Sequence, residues 1–236
     1  MEMRRRAEEH LRGFFHQWYE CHGRSYPWRD DNVSAYGILI AEIMLRKTRA
    51  GKVVNQWLEF MSRFSSPSDC LKSQESQLND LFLPLGLSKI RVKAIKEICK
   101  IIVEKHGGEL PESVDILLTL PHVGIYTANA IACFAYNKRV AIVDGNIIRI
   151  ISRIFGEISK EDNRRVPEMW KTAEAILPLA SYKEHNYGIL DFAALICTAR
   201  LPKCECCSLV GICNENISKI EQDSTQTMKK KTYKRN

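Results

Sequence analysis

Four cysteines near the carboxyl end of the chain have the spacing of a metal-binding loop. They lie in "CTARLPKCECCSLVGIC" (197–213) at Cys-x6-Cys-x2-Cys-x5-Cys, and Cys206 is left over. Four thiolates ligate either zinc or a [4Fe–4S] cluster, and unligated buried cysteines are the alternative to both. Zinc usually takes two separated, short-spaced pairs, whereas this single nested loop suits the larger cluster. We therefore expect a 4Fe–4S cluster held by Cys197, Cys204, Cys207 and Cys213.

Cysteine usage elsewhere in the chain indicates a reducing compartment. The chain has nine cysteines, and reducing compartments keep such thiols free. No apolar run approaches the roughly 20 residues that span a bilayer, and the charged start "MEMRRRAEEH" does not resemble a signal peptide. We expect a protein of the cytoplasm or nucleoid that is not associated with a membrane.

The positive charge is concentrated at the carboxyl terminus. Of the net charge of +7, "KKKTYKRN" at 229–236 carries +5, which leaves +2 for the rest of the chain. The overall charge is therefore a weak argument for nucleic-acid binding. We expect residues 214–236 to form a disordered basic tail of the kind that also binds DNA nonspecifically.

The elements that must position any site are helical. Leu11, Phe14, Phe15, Trp18 and Tyr19 mark one amphipathic stripe, and residues 38–46 mark another. Further helical patterns lie near 51–63, 89–105, 124–136, 146–155, 166–180 and 187–197. The β-like run "RVAIVDG" (139–145) is unpartnered and predicts a buried connection, while "SSPSD", "HGGELPES" and "LPHVG" predict short turns. The predicted fold class is all-α.

Three segments together resemble one protein family. "LTLPHVGIYTANAIACFAY" (118–136), "AIVDGNIIRIISRIFG" (141–156) and the cysteine loop follow in the order and spacing of the helix-hairpin-helix DNA glycosylases of the endonuclease III superfamily. "YPWRD" (26–30) and "ILIAEIMLRKT" (38–48) resemble the branch with the thymine glycosylases of G·T mismatches and the adenine glycosylases. The likeness covers residues 26–213.

The resemblance implies two lobes. Residues 27–137 would form a helical barrel domain that ends in the hairpin, and residues 1–26 with 138–213 would form the iron–sulfur domain. The active site is then expected in the cleft between the lobes, near Glu42, Tyr126 and Asp144.

The hairpin turn at His122, Val123 and Gly124 is expected to bind the DNA backbone. Backbone N–H groups at a helix N-terminus hold a phosphate without a charged side chain, and Gly124 allows close approach. An ordinary tight helical hairpin is the alternative. Family members usually carry glycine where this chain has His122, so either histidine takes a positive φ here or the turn differs.

Asp144 and Glu42 occupy the family's two catalytic carboxylate positions. Asp144 could serve only as an N-cap, and Glu42 could lie on a solvated helix face. The resemblance instead implies that Asp144 stabilises positive charge on the sugar and positions a water. The apolar neighbours of Glu42 predict partial burial and a raised pKa, which suits a proton donor or a residue that positions water.

Base excision from a duplex requires side chains that fill the gap left by the flipped nucleotide. "RKT" (46–48) and "GLSKIR" (86–91) occupy the family's two wedge-bearing segments, so Lys47 and Leu87 are the candidates. Arg46 would contact the opposite guanine or a phosphate. Lys47 departs from the more usual arginine or glutamine, and Leu87 could equally be a core residue.

Tyr126 stands where bifunctional relatives place a lysine. A lysine amine attacks the sugar C1′ and forms a Schiff base, which a phenol cannot do. Tyr126 is expected to lie along the flipped base or to form the floor of the pocket, with packing between the hairpin helices as the alternative. The resemblance therefore implies a monofunctional glycosylase without lyase activity.

The expected activity is base excision repair of mispaired thymine or uracil opposite guanine in duplex DNA, by a monomer. "LRKT" resembles the basic pair of the thymine branch, and the 23 residues after Cys213 are too few for the domain by which adenine glycosylases recognise 8-oxoguanine. "DGN" is nevertheless common in the adenine branch, so A·G or A·8-oxoguanine remains an alternative. An alternative of another class is a catalytically silent iron–sulfur DNA-binding module.

Overall fold

A computed structural model describes residues 2–156 and 167–215, and every regular element in these ranges is helical. The all-α prediction is confirmed for this part of the chain. The described residues form two compact units: residues 25–140, and residues 2–24 together with 141–156 and 167–215. The predicted basic tail lies, apart from residues 214 and 215, outside the described residues.

The unit of residues 25–140 is built around one buried helix. Its α-helices are α2 (Ala35–Leu45), α3 (Ala50–Arg63), α4 (Pro67–Lys72), α5 (Glu75–Phe82), α6 (Ser88–His106), α7 (Val114–Leu117) and α8 (Ile125–Phe134). Short 3₁₀ turns lie at Pro27–Arg29 and Leu83–Leu85. Helix α2 packs against α3, α6 and α8, and α4 and α5 pack against α6.

Two predictions for this unit need correction. Residues 38–46 do not form an amphipathic stripe, because α2 is buried around its circumference from Tyr36 to Met44. "SSPSD" (65–69) is more than a turn, because it begins α4. The Ser66 hydroxyl accepts from Asp69 N at 3.2 Å and the Asp69 carboxylate accepts from Ser66 N at 3.1 Å, and this capping box starts a helix.

The second unit pairs the two ends of the chain. It contains α1 (Glu2–His22), α9 (Gly145–Phe155), α10 (Pro167–Ala175), α11 (Tyr182–Leu195) and two 3₁₀ turns at Cys204–Cys206 and Val210–Ile212. The rings of Phe15 and Trp18 on α1 pack edge-on against Phe192 of α11. A Cβ on Gly188 would lie 2.1 Å from the Phe15 carbonyl oxygen, so this close approach of α1 and α11 requires glycine.

Local sequence explains how α9 begins. Residues Ala141, Ile142 and Val143 are buried and irregular, as predicted for the connection at 139–145, and Asp144 is the N-cap of the helix. Four isoleucines at helical spacing then form its buried face: Ile147, Ile150, Ile151 and Ile154. The predicted pattern at 146–155 is confirmed, and it fixes Asp144 at the helix N-terminus.

None of the helices in the described ranges is both long enough and apolar enough to cross a membrane.

Candidate functional site

Glu42 is a carboxylate buried inside the core of the 25–140 unit. It lies in the middle of α2 and is 9% exposed, so the alternative of a solvated helix face is wrong. One turn later, Arg46 ends the helix. Burial lowers the pKa of the Arg46 guanidinium, and the negative charge of Glu42 acts in the opposite direction. The central helix thus carries a buried carboxylate one turn before the guanidinium at its carboxyl end.

The hairpin turn leads from α7 into α8. His122 adopts φ 61°, so histidine does tolerate the left-handed conformation at the position where the family usually has glycine. Val123 N donates to Leu120 O at 3.3 Å, and the Val123 side chain is buried. Any contact of Val123 with DNA would therefore use its backbone, as the sequence argument proposed.

Gly124 is the N-cap of α8, and the fold itself does not require glycine there. Its φ of −96° and ψ of 175° suit any residue, and a Cβ would meet no atom within 4 Å. The open space lies beside the helix N-terminus, where backbone N–H groups lack intrahelical acceptors. The phosphate-binding role of this turn stays a prediction, and the geometry leaves room for it.

Two side chains hold the hairpin turn in place. The Arg46 guanidinium donates to the His122 carbonyl oxygen at 2.6 Å. The His122 ring lies 2.7 Å from the carboxylate of Glu97, measured between Nε2 and Oε2. The segment after α2 and the hairpin turn are thus connected within one unit. A contact of Arg46 with guanine or phosphate stays a prediction, because the structure contains no DNA.

Tyr126 is the second residue of α8 and is half-buried. It therefore lies in the first turn of the helix, directly after Gly124. The assignment of Tyr126 to the reaction stays a prediction, with packing between the hairpin helices as the alternative.

Lys47 and Leu87, the two wedge candidates, share an unusual backbone conformation. Their φ angles are 54° and 55°, in the left-handed region that residues other than glycine rarely adopt. Lys47 is exposed, and Leu87 is 46% exposed, so the interpretation of Leu87 as a core residue is wrong.

Sequence reasoning missed Arg91, the residue that connects the segments of Lys47 and Leu87. The one sequence signal for Arg91 is its apolar neighbours Val92 and Ile95, which indicate that it lies on a buried face of a helix.

Asp144 belongs to the other unit, where it caps α9. Its Oδ1 accepts from Asn146 N at 2.8 Å and from Ile147 N at 2.9 Å, and its Oδ2 accepts from the Asn146 side-chain amide at 2.7 Å. The capping role is therefore observed. It fixes the orientation of the carboxylate and leaves the side chain partly exposed, so a catalytic role stays compatible with it as a prediction.

The four predicted cysteine ligands line one cavity. Cys197, Cys204, Cys207 and Cys213 surround it together with Arg153, Ile196, Pro202, Lys203 and Glu215, whereas Cys206 is exposed and outside the lining. Arg153 donates to the Cys197 sulfur at 3.3 Å and pairs with Glu215 at 3.0 Å. Sequence analysis did not identify Arg153.

Ionised cysteines would repel one another at this cavity. Burial and the nearby cysteines raise the pKa of the Cys207 thiol, because neighbouring thiolates repel one another. Burial alone would lower the pKa of Arg153, but its hydrogen bond to Cys197 and the adjacent negative groups raise the pKa overall. A cationic group among the cysteines would relieve this repulsion.

The donor set at this cavity consists of four thiols. Within residues 2–156 and 167–215, no three histidine, cysteine, aspartate or glutamate side chains lie close enough together to hold a metal ion. The four cysteines stand around a space of about 370 Å³, part of which is open to solvent. Four thiolates can ligate either zinc or an iron–sulfur cluster, so the kind of metal centre stays a prediction.

The predicted site residues are thus divided between the units. Residues 25–140 contain Glu42, Arg46, Lys47, Leu87, the hairpin turn and Tyr126. Asp144 and the cysteine-lined cavity belong to the unit that joins the two ends of the chain.

Comparison with known proteins shows which proteins this chain is similar to. The chain is 36% identical over 191 residues to the thymine/uracil-DNA glycosylase of Methanothermobacter thermautotrophicus, which covers 81% of this chain and 86% of the relative. It is 34% identical over 193 residues to an adenine DNA glycosylase of Mycobacterium tuberculosis, covering 81% of this chain and 63% of the relative.

Solved structures agree with the sequence matches. A thermostable thymine-DNA glycosylase superposes with a TM-score of 0.84 at 33% identity, covering 89% of this chain and 97% of the other. Residues 40–174 match the profile of the family described as HhH-GPD superfamily base excision DNA repair protein. The predicted resemblance is confirmed, and the chain belongs to the HhH-GPD superfamily of base excision DNA repair proteins.

Proposed function

We propose that the chain is a DNA glycosylase that removes thymine or uracil opposite guanine from duplex DNA. The observation that carries the proposal is the likeness to the thymine/uracil-DNA glycosylase over 86% of that protein's length. The structural likeness to a thymine-DNA glycosylase points to the same chemistry. The enzyme would act as a monomer in the cytoplasm or nucleoid.

DNA binding is assigned to the 25–140 unit. The hairpin turn of His122, Val123 and Gly124 holds a phosphate through backbone N–H groups at the N-terminus of α8, and the helix dipole of α8 favours the negative charge there. Lys47 and Leu87 enter the duplex where the target nucleotide leaves the stack. Arg46 adds a positive charge beside the hairpin turn that it already contacts.

Catalysis is assigned to the two carboxylates. Cleavage of the N-glycosidic bond builds positive charge on the sugar, and the Asp144 carboxylate stabilises this charge and orients the attacking water. The cap hydrogen bonds hold that carboxylate in one orientation. Glu42 positions water or donates a proton from its buried place in α2, where the low dielectric strengthens its interactions.

Tyr126 is assigned to the base pocket and not to covalent catalysis. Its ring would lie along the flipped base, and its hydroxyl cannot form a Schiff base with C1′. The product is therefore an abasic site whose strand stays intact. The two units would correspond to a barrel domain with the hairpin and an iron–sulfur domain, as the sequence resemblance implied.

We also propose that Cys197, Cys204, Cys207 and Cys213 hold a 4Fe–4S cluster. Their shared cavity and the neighbouring Arg153 support it. When bound, such a cluster would crosslink the carboxyl-terminal loop and offset part of the negative charge of the four thiolates. Arg149 and Arg153 hold the start of that loop by donating to the carbonyl oxygens of Cys197 and Thr198.

Adenine excision is the second candidate, because an adenine DNA glycosylase is 34% identical to this chain. End-labelled duplexes containing G·T, G·U, A·G or A·8-oxoguanine, treated with the protein and then with alkali, distinguish the two. We expect cleavage at G·T and G·U. Cleavage at A·G or A·8-oxoguanine alone would support adenine excision. Binding without a product from any duplex would support the silent iron–sulfur module.

A further inference from the structure

Arg91 is a buried guanidinium that contacts two loops at once. It lies in the first turn of α6 and is 3% exposed. Its Nε donates to Gly86 O at 2.9 Å, and one terminal nitrogen donates to Arg46 O and to the Thr48 hydroxyl, both at 2.8 Å. The other terminal nitrogen donates to Ile43 O. One side chain thus bridges the end of α2, the segment 46–48 and the segment before α6.

The two bridged segments are those that carry Lys47 and Leu87. Each residue follows directly after an acceptor of Arg91, since Lys47 follows Arg46 and Leu87 follows Gly86. Each adopts a left-handed φ, a conformation that persists only where surrounding contacts enforce it. The Thr48 hydroxyl lies 3.2 Å from the Leu85 carbonyl oxygen and connects the segments a second time.

The chemistry of this bridge requires arginine. Among the described residues Arg91 has no carboxylate partner, so the charge is buried against neutral oxygens, and this burial lowers the pKa of its guanidinium. A planar guanidinium directs its donors along fixed directions, whereas a lysine ammonium is a single flexible point. Arg91 can therefore set the distance and angle between two backbone segments, which a lysine cannot.

We propose that Arg91 is a positioning residue that presents Lys47 and Leu87 to the duplex as one unit. It acts through the left-handed segments at 47 and 87 and does not itself contact DNA. The inference rests on the proposed function for its choice of substrate, duplex DNA with a vacated base position. It goes beyond that function because it states that both side chains enter the gap together and depend on each other's position.

The test measures recognition of a vacated position independently of base excision. The probes are two otherwise identical duplexes, one fully paired and one with a tetrahydrofuran abasic analogue opposite guanine, with 2-aminopurine beside that position to report unstacking. For Arg91→Lys we expect the preference for the abasic duplex to fall by roughly 10- to 100-fold, as for displaced positioning groups. Affinity for the paired duplex should stay nearly constant because the hairpin turn is unchanged, and the rise in 2-aminopurine fluorescence should be lost.

A matched control comes from the same helix. Lys96 also bridges backbone carbonyls, donating to Leu71 O at 2.9 Å and to Ser73 O, but these lie at the carboxyl end of α4. Lys96→Gln should lower the melting temperature and leave the preference for the abasic duplex intact. If Arg91→Lys does not fold, Thr48→Val replaces it, with Thr48→Ser expected to restore the preference.

The second readout is whether the effects of substituting Arg91 and of substituting Lys47 and Leu87 are additive. If Arg91 acts through the two side chains, Arg91→Lys should have little further effect in a Lys47→Ala, Leu87→Ala background. Full additivity, or an equal loss of affinity for both duplexes, would overturn the proposal. So would an unmodified protein that does not prefer the abasic duplex. A preference for the abasic duplex without excision from G·T or G·U would reject the proposed function and leave this inference standing.

Discussion

At the scale of single residues, Asp144 combines an observed structural role with a proposed catalytic one. Its carboxylate accepts two backbone N–H groups at the start of α9 and one side-chain amide. An N-cap needs only an oxygen acceptor, whereas charge stabilisation needs the negative charge. Substitutions that retain the acceptor but remove the charge therefore separate the two roles.

Asp144→Asn should abolish base release and preserve both DNA binding and stability. Asparagine caps helices about as well as aspartate, so the loss is expected in single-turnover excision, by roughly 10²- to 10⁴-fold. Asp144→Ala should lose excision as well and additionally lower the free energy of unfolding by about 1 kcal/mol. Unchanged excision by Asp144→Asn would indicate that capping is the only role of this side chain.

Tyr126 gives a second prediction at this scale. The unmodified protein should release base, leave the abasic site uncut until alkali is added, and form no covalent adduct that borohydride traps. Tyr126→Lys should gain strand nicking and borohydride trapping, because it supplies an amine at the position that bifunctional relatives use. Trapping by the unmodified protein would contradict the assignment, and Lys47 would be the first amine to substitute.

At the scale of elements, the cysteine loop and the paired helices α1 and α11 each depend on contacts that local sequence does not specify. The loop depends on α9, because Arg149 and Arg153 donate to carbonyl oxygens within residues 197–199. The helix pair depends on the missing side chain of Gly188 and on aromatic packing around Phe192.

The cysteine loop predicts the colour of the protein. Purified protein should be brown and contain about four iron atoms per chain, and Cys206→Ser should leave both unchanged because Cys206 lies outside the cavity. Replacing Cys197, Cys204, Cys207 or Cys213 with serine should remove the brown colour of the protein. Metal analysis that returned zinc without iron would show the cluster assignment to be wrong.

The α1–α11 interface predicts a pH dependence of stability. Burial, with a smaller contribution from His16, lowers the pKa of His185 from 6.5 to about 3. The unfolded chain therefore binds a proton that the folded chain excludes between these values. The free energy of unfolding should fall as pH drops below 6.5, by up to about 1.4 kcal/mol per pH unit from this residue.

Denaturant titrations between pH 4 and pH 7 measure this dependence. His185→Leu should flatten it, because leucine has no proton to gain. The exposed His10 serves as the control, and His10→Gln should keep the slope of the unmodified protein. An unchanged slope in His185→Leu would assign the pH dependence to other groups.

At the scale of the whole molecule, the distribution of charge matters more than its total. Most of the net charge of +7 comes from residues 229–236, which lie outside the described residues. Removing these eight residues should weaken binding to undamaged duplex and reduce the slope of log affinity against log salt by as much as about 4, since five cations are lost. Excision from a G·T duplex at saturating enzyme should be unchanged. An unchanged salt slope would exclude the tail from DNA contact.

Local signals in the sequence determined most of the helices and several residues of the candidate site. Helical periodicity predicted the main helices, because residues that share a helix face recur every 3.6 positions wherever the helix packs. The cysteine spacing predicted four ligands and one spare, and the four do line one cavity while Cys206 does not. An N-cap was the alternative role given for Asp144 before its isoleucine-rich segment, and the cap is observed, since capping depends on the next three residues alone.

Only the tertiary structure decided how distant segments meet. The hydrogen bonds of Arg91 join residues up to 48 positions apart, and that of Arg46 joins residues 76 apart. Such contacts depend on how helices pack, and no local pattern records that packing. For the same reason the left-handed backbone at Lys47 and Leu87, the all-round burial of α2 and the place of Arg153 beside the cysteines became visible only in the folded chain.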